Sequence, residues 1–81
     1  MSNTTQTRPI SEIAKEIQDD WKNPYFGAVP YINAMKEINS IDDMFGLDTA
    51  DDIVCRFLGN AKTWKGEVAK RIKVELNLLI K

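Results

Sequence analysis

The sequence predicts an all-α fold, a small compact helical bundle of four main helices plus one short helical turn. Three observations predict it. Apolar residues recur at three- and four-residue spacing along most of the chain. Nothing alternates with period two for long enough to make a strand. Pro24, Gly46 and Gly59 fall where those periodic segments stop.

Each element has its own local reason. Ile10, Ile13, Ala14, Ile17 and Trp21 form one narrow stripe, so the first helix starts near Ser11, a good N-cap, and stops at "KNP", because Pro24 disfavours a helical Asn23. Pro30 suits the opening of the second helix, about Val29 to Asn39, with Tyr31, Ala34, Met35 and Ile38 on its apolar face. Ser40 and Asp43 spell a short capping box, so "IDDMF" reads as a single helical turn closed by Gly46. Thr49 and Asp52 spell another, opening a helix that uses Ala50, Ile53, Val54, Phe57 and Leu58 and ends at Gly59. The last helix runs from about Trp64 to Ile80, with Thr63 as its cap.

Residues 1–9 read as a disordered N-terminal lead-in and residues 10–81 as one helical domain, which is all that 81 residues allow. The composition, 43% hydrophobic and 28% charged, is that of an ordinary soluble domain. No run approaches the roughly 18 apolar residues of a membrane span. The polar N-terminus lacks the apolar core of a secretory signal, and a lone Cys55 fits a reducing cytosol. The expected location is the bacterial cytoplasm, with no membrane contact.

Histidine is absent, which removes the commonest general base and metal ligand. One cysteine without histidine gives no thiol dyad, and a structural zinc site has no ligand set. "SIDDMFGLDTADD" lacks the spacing of a calcium loop, and its carboxylates have plainer work as helix caps. "GNAKTWKG" lacks the order of a P-loop. The chain is therefore read as no enzyme, with no cofactor and no metal.

Charge is divided unevenly. Residues 1–52 carry four basic and ten acidic side chains, net −6, and residues 53–81 carry seven basic and two acidic, net +5. Such a split marks an interaction face, or two halves that neutralise each other on folding. On a helical wheel of the last helix, Trp64, Val68, Ala69, Ile72, Leu76, Leu79 and Ile80 face the core. Lys70, Lys73, Asn77 and Lys81 form a basic strip on one flank, and Glu67, Arg71 and Glu75 form an i,i+4 ladder on the other. Val74 and Leu78 lie nearly opposite the core sector, where a simple amphipathic helix has no large aliphatics. Either the N-terminal arm or a loop covers them, or they meet a partner, for instance a second copy in an isologous homodimer.

Lys62, Lys65, Lys70, Lys73, Val74, Asn77 and Leu78 are thus the candidate interaction surface. Lys62, Thr63 and Lys65 also stand where a helix N-terminus meets phosphate, which supports a small nucleic-acid-binding regulator as the alternative. Against that alternative, the pI is near 5.3 and Asn77 is the main side chain suited to reading bases. The aromatics Trp21, Tyr25, Phe26, Tyr31 and Trp64 are read as core by their bulk rather than as a binding surface.

The segments "SEIAKEI..DW", "FGAVPY..AM", "SIDDMFGLD" and "NAKTWKGEVAKRIK" resemble a group of small proteins of unknown function encoded by phages and mobile elements of bacteria, mainly Gram-positive. The resemblance spans about residues 10–81 and brings no catalytic residue or cofactor with it. It implies a phage-type accessory protein that acts by binding a host or phage protein, as a modulator of host or defence machinery.

Overall fold

The computed structural model describes residues 8–80, and the lead-in up to residue 7 and Lys81 lie outside the described residues. Four helices, α1 (Ile10–Asp20), α2 (Val29–Met35), α3 (Ala50–Gly59) and α4 (Glu67–Ile80), enclose one core. A two-stranded antiparallel hairpin, β1 (Met44–Phe45) and β2 (Asp48–Thr49), lies between α2 and α3. The fold is mostly helical but not purely so.

The α1 stripe falls as its spacing dictates: Ile10, Ile13, Ala14 and Ile17 are buried, and Trp21 packs against the core just past the helix end. Ser11 is not the cap. Pro9 takes that position without a side-chain bond, and the Ser11 hydroxyl donates to Asn39 Oδ1 at 3.3 Å while the Ile10 amide donates to Asn39 O at 3.1 Å. Of the donors at the helix start, the Ile10 amide is met across the chain, while the Glu12 amide is met locally by Pro9 O at 3.0 Å. The second helix is shorter than its periodicity suggests. After Met35 the amides of Glu37 and Ile38 donate to the carbonyls three residues back, a tightened turn that swings Ile38 into the core.

Between residues 40 and 50 the structure replaces the expected helical turn by the hairpin. The Ser40–Asp43 box does form its bonds: Asp43 Oδ2 accepts from the Asn39 and Ser40 amides at 3.0 and 3.1 Å, and Ser40 Oγ accepts from Asp42 N–H at 3.1 Å. It closes a turn, however, because Met44 pairs with Thr49 and Phe45 with Asp48, leaving Gly46–Leu47 as a two-residue loop. Gly46 has φ +64°, the left-handed backbone that primed hairpin turns demand at their first central position. Thr49 then caps α3 as predicted, accepting from Asp52 N–H at 3.1 Å.

The last helix starts at Glu67, not Trp64. Gly66, at φ +114°, leaves helical space, and its carbonyl accepts from Lys70 N–H at 3.0 Å as the first intrahelical bond. Trp64 therefore enters the core from a loop. It is 2% exposed, its ring stacks on Trp21 at 5.6 Å and 11°, and it meets Phe57 edge-on at 6.2 Å. Its Nε1–H donates to Asp20 Oδ2 at 2.8 Å, so the buried indole leaves no donor unpaired.

One turn along α1 from Asp20, α4 is fastened to α1 by charge. Arg8 donates in a fork to both oxygens of Glu75, at 3.0 and 2.7 Å, and to Glu16 at 2.9 Å, while Arg71 bonds the other Glu16 oxygen. The predicted Glu67–Arg71–Glu75 ladder is thus replaced by cross-helix pairs. Arg8, assigned to the lead-in from the sequence, belongs to the packed structure.

Two predictions follow from these contacts. Trp64→Ala should cost roughly 3–5 kcal/mol in denaturant unfolding, the range for aromatic truncation in a core, a large share of the roughly 4–12 kcal/mol available to a chain of this length. The second concerns acid. Arg71 and then Arg8 hold the Glu16 carboxyl below its ordinary value of 4.5. A lowered folded-state value stabilises the fold above the unfolded value, and the gain disappears as pH falls through the folded one. Glu16→Gln should therefore be less stable than wild type at neutral pH, and the gap should narrow as pH falls below the ordinary carboxylate value and close once it has passed through the lowered folded-state one, as urea midpoints across the acid range would show.

Candidate interaction surface

The seven residues singled out by sequence do not form one strip. Lys62 and Thr63 border a groove of about 290 Å³ with Tyr25 and Asn60. Lys65, Lys70 and Lys73 border another, of about 270 Å³, with Trp64 at its base. Val74 lines a third, of about 350 Å³, with Glu67, Lys70 and Arg71. Lys70 belongs to the last two and joins the cationic groove to the aliphatic one.

Two of the seven are committed to the fold itself. Lys73 Nζ donates to Trp64 O at 2.7 Å and stands 5.9 Å from the Trp64 ring centroid, so it ties α4 to the loop that delivers the tryptophan. Burial, with Lys65 nearby, pushes its ammonium down from the ordinary lysine value. Asn77 Nδ2 donates to Lys73 O at 2.8 Å, four residues back on its own helix, which occupies the side chain proposed to read bases. Lys62, Lys65 and Lys70 are exposed and make no ion pair among the described residues.

Val74 and Leu78 are 57% and 66% exposed, on the face of α4 turned away from Ala69, Ile72 and Leu76. No described part of the chain covers them.

A second apolar surface has no counterpart in the sequence reading. Leu47 at the hairpin loop is 98% exposed, with Met44 at 57% and Phe45 at 42% beside it. Asp42, Asp48 and Asp51 flank them, all exposed. The available signal was "MFGLD" itself: a glycine at the first place of a two-residue loop, with apolar neighbours too few to make a helix face. Tyr25 and Phe26 are also exposed, against the expectation that all five aromatics are core. Trp21, Tyr31 and Trp64 keep that role.

Cys55 is exposed, its thiol donates to Asp51 Oδ1 at 3.7 Å, and burial together with that carboxylate pushes the thiol up, away from a reactive thiolate. Among the described residues no three His, Cys, Asp or Glu side chains gather as a metal site, and no helix is long and apolar enough to cross a membrane. Compared with protein-family models, curated proteins and solved structures, the chain matches none.

The division among the lysines is measurable. Lys73→Ala should lose about 1.5 kcal/mol, the scale of one charge-assisted hydrogen bond. Lys70→Ala should stay within about 0.5 kcal/mol of wild type, as surface changes do. Urea midpoints of the two variants check both.

Proposed function

We propose that this chain is a small phage-type accessory protein that acts in the bacterial cytoplasm by binding another protein, a component of host or defence machinery, through the outer face of α4. The exposed pair Val74 and Leu78 carries the reading. Two large aliphatics on the outer face of the longest helix depart from the polar face that a simple amphipathic helix presents to water. A partner that covers them recovers roughly 25 cal/mol per Å² of apolar surface.

The unpaired lysines Lys62, Lys65 and Lys70 near the start of α4 steer an acidic partner surface toward that helix, raising the association rate more than the affinity. The resemblance to phage and mobile-element proteins supports the context.

The alternative, a nucleic-acid-binding regulator, is favoured by one observation, the groove that gathers Lys65 and Lys70. Lysines there hold phosphate without discriminating bases. With Lys73 and Asn77 engaged by backbone carbonyls, that reading supports weak, salt-sensitive duplex binding rather than sequence recognition.

Affinity capture from bacterial host lysate, with and without nuclease, tests the proposal against Val74→Lys/Leu78→Lys. We expect a protein retained by wild type after nuclease and reduced at least about tenfold, some 1.4 kcal/mol, on the double variant. Equal recovery by both forms would remove α4 from the interface. Loss of every partner on nuclease treatment would move the nucleic-acid reading into first place.

A further inference from the structure

The aromatics that the core leaves out stand beside lysines that the ion pairs leave out. Tyr25 is 46% and Phe26 79% exposed, and their ring centroids lie 4.9 Å apart. Both are held by a bonded turn. Tyr25 O accepts from Ala28 N–H at 2.8 Å, Phe26 O accepts from Val29 N–H at 3.3 Å, and Ala28 is buried. The Tyr25 ring also packs against Gly27. A Cβ there would stand 2.6 Å from Tyr25 Cε2 and 2.9 Å from Asn60 Oδ1, so ring, glycine and amide leave no space between them. Asn60 is fixed in turn, because its Nδ2 donates to Arg56 O at 2.8 Å. The half-exposed ring is therefore a held platform.

That platform borders a groove with Gly59, Asn60, Lys62 and Thr63. Lys62 and Thr63 are the central residues of a turn in which Ala61 O accepts from Trp64 N–H at 3.1 Å. Ala61 and Trp64 are buried, so the turn is anchored at both ends while its two central side chains are exposed. The residues that follow, Trp64, Lys65 and Gly66, border the second groove with Lys70 and Lys73. Among the described residues no carboxylate lines either groove. Asp20, the carboxylate bonded to this segment, accepts from Trp64 Nε1 and borders neither. Lys73 is tied to Trp64 O, whereas Lys62, Lys65 and Lys70 are exposed and make no ion pair among the described residues.

We propose that these two grooves bind single-stranded nucleic acid, with an unpaired base stacked on Tyr25 and the neighbouring phosphates held by Lys62, Lys65 and Lys70. A fixed aromatic face with free cations beside it matches the two parts of every nucleotide, its flat base and its anionic phosphate. A duplex satisfies the lysines but keeps its bases stacked on one another, so the exposed rings gain nothing from it. An acidic peptide also meets the lysines but carries no regular flat face for Tyr25. The net charge of +5 over residues 53–81 supplies a local attraction that the whole-chain charge of −1 hides. Val74 and Leu78 line neither groove, so the site does not rest on the reading of their face as a protein dock.

Fluorescence polarisation tests the site with labelled mixed-sequence strands of about 12 nucleotides, within the span of one small single-strand module. The strand is used as DNA, as RNA and as the annealed DNA duplex. Wild type should bind the single strands at about 1–100 µM, the range of sequence-independent binding, and at least about fivefold more tightly than the duplex. Three phosphate contacts on a single strand give log K against log salt a slope of about −2. Tyr25→Ala should weaken binding about tenfold and leave that slope unchanged, while Tyr25→Phe keeps wild-type affinity. Lys62→Ala/Lys65→Ala/Lys70→Ala should flatten the slope. All four side chains are exposed, and unchanged melting curves establish that the variants fold. Where Tyr25→Ala melts early, Phe26→Ala reads the same platform and should weaken binding severalfold.

No binding of either single strand at about 100 µM protein, the weak end of that range, overturns the inference. Equal affinity for the duplex does so too, as does a folded Tyr25→Ala variant that binds like wild type. A host protein captured by wild type and lost from Tyr25→Ala, with no oligonucleotide bound, would assign the groove to a protein instead. Capture that depends on Val74 and Leu78 but survives Tyr25→Ala leaves the α4 reading standing whichever way the titration falls, so the two fail separately.

Discussion

The indole of Trp64 is the contact on which this fold turns. It lies between Trp21 at the end of α1 and Phe57 on α3, and its own backbone carbonyl is held by Lys73 of α4. Three helices are thereby referenced to one side chain that belongs to none of them. The constraint upstream is Gly66: only a backbone free to adopt φ +114° lets the chain leave Trp64 in the core and turn into α4 within two residues. The bond from Nε1 to Asp20 completes the arrangement, since a buried indole N–H without an acceptor carries a desolvation penalty.

One turn of α1 away from Asp20, the Arg8, Glu16, Arg71 and Glu75 network fixes α4 against α1. Its side chains remain about one-quarter to one-half exposed, so each pair is worth only about 0.2–1 kcal/mol. Geometry is the larger contribution. Glu16 is shared by both arginines and Glu75 takes the Arg8 fork, which fixes the rotation of α4 about its own axis. That rotation turns Ile72 and Leu76 inward and leaves Val74 and Leu78 facing out.

The helices were legible because their spacing was. Ile10, Ile13, Ala14 and Ile17, and later Ala50, Ile53, Val54 and Phe57, are the buried residues of their elements, as a period of 3.6 requires. The misreadings have local causes. Ser40 and Asp43 make the hydrogen bonds their capping box promised, but such bonds serve a turn as well as a helix, and cross-strand pairing of Met44 with Thr49 decided between them. Ser11 carries the chemistry of a cap, yet a contact with Asn39, 28 residues away, claimed it. Glu67, Arg71 and Glu75 have helical i,i+4 spacing, but partners on α1 and at Arg8 took the latter two. In the candidate surface, the exposure of Val74 and Leu78 could be read from a wheel. The engagement of Lys73 by Trp64 O could not, because it depends on where a loop ends.

The same features that stabilise the core explain why the surface is divided. Once Arg8 and Arg71 are spent on Glu16 and Glu75, the cations left without ion pairs around α4 include Lys62, Lys65 and Lys70, gathered near the start of the helix. Once Asp43 is turned inward to hold the Asn39 and Ser40 amides, and Asp52 pairs with Arg56, the remaining carboxylates of that segment, Asp42, Asp48 and Asp51, ring the hairpin. Internal pairing has thus used several of the charges that could neutralise each other within the chain and left three unpaired lysines near the start of α4 and three unpaired carboxylates around the hairpin. A fold with a larger core could have absorbed Leu47 or Leu78. In a chain of 81 residues the interior is filled by Trp64, Phe57 and the isoleucines, and the remaining aliphatics are presented to whatever the surrounding charge attracts.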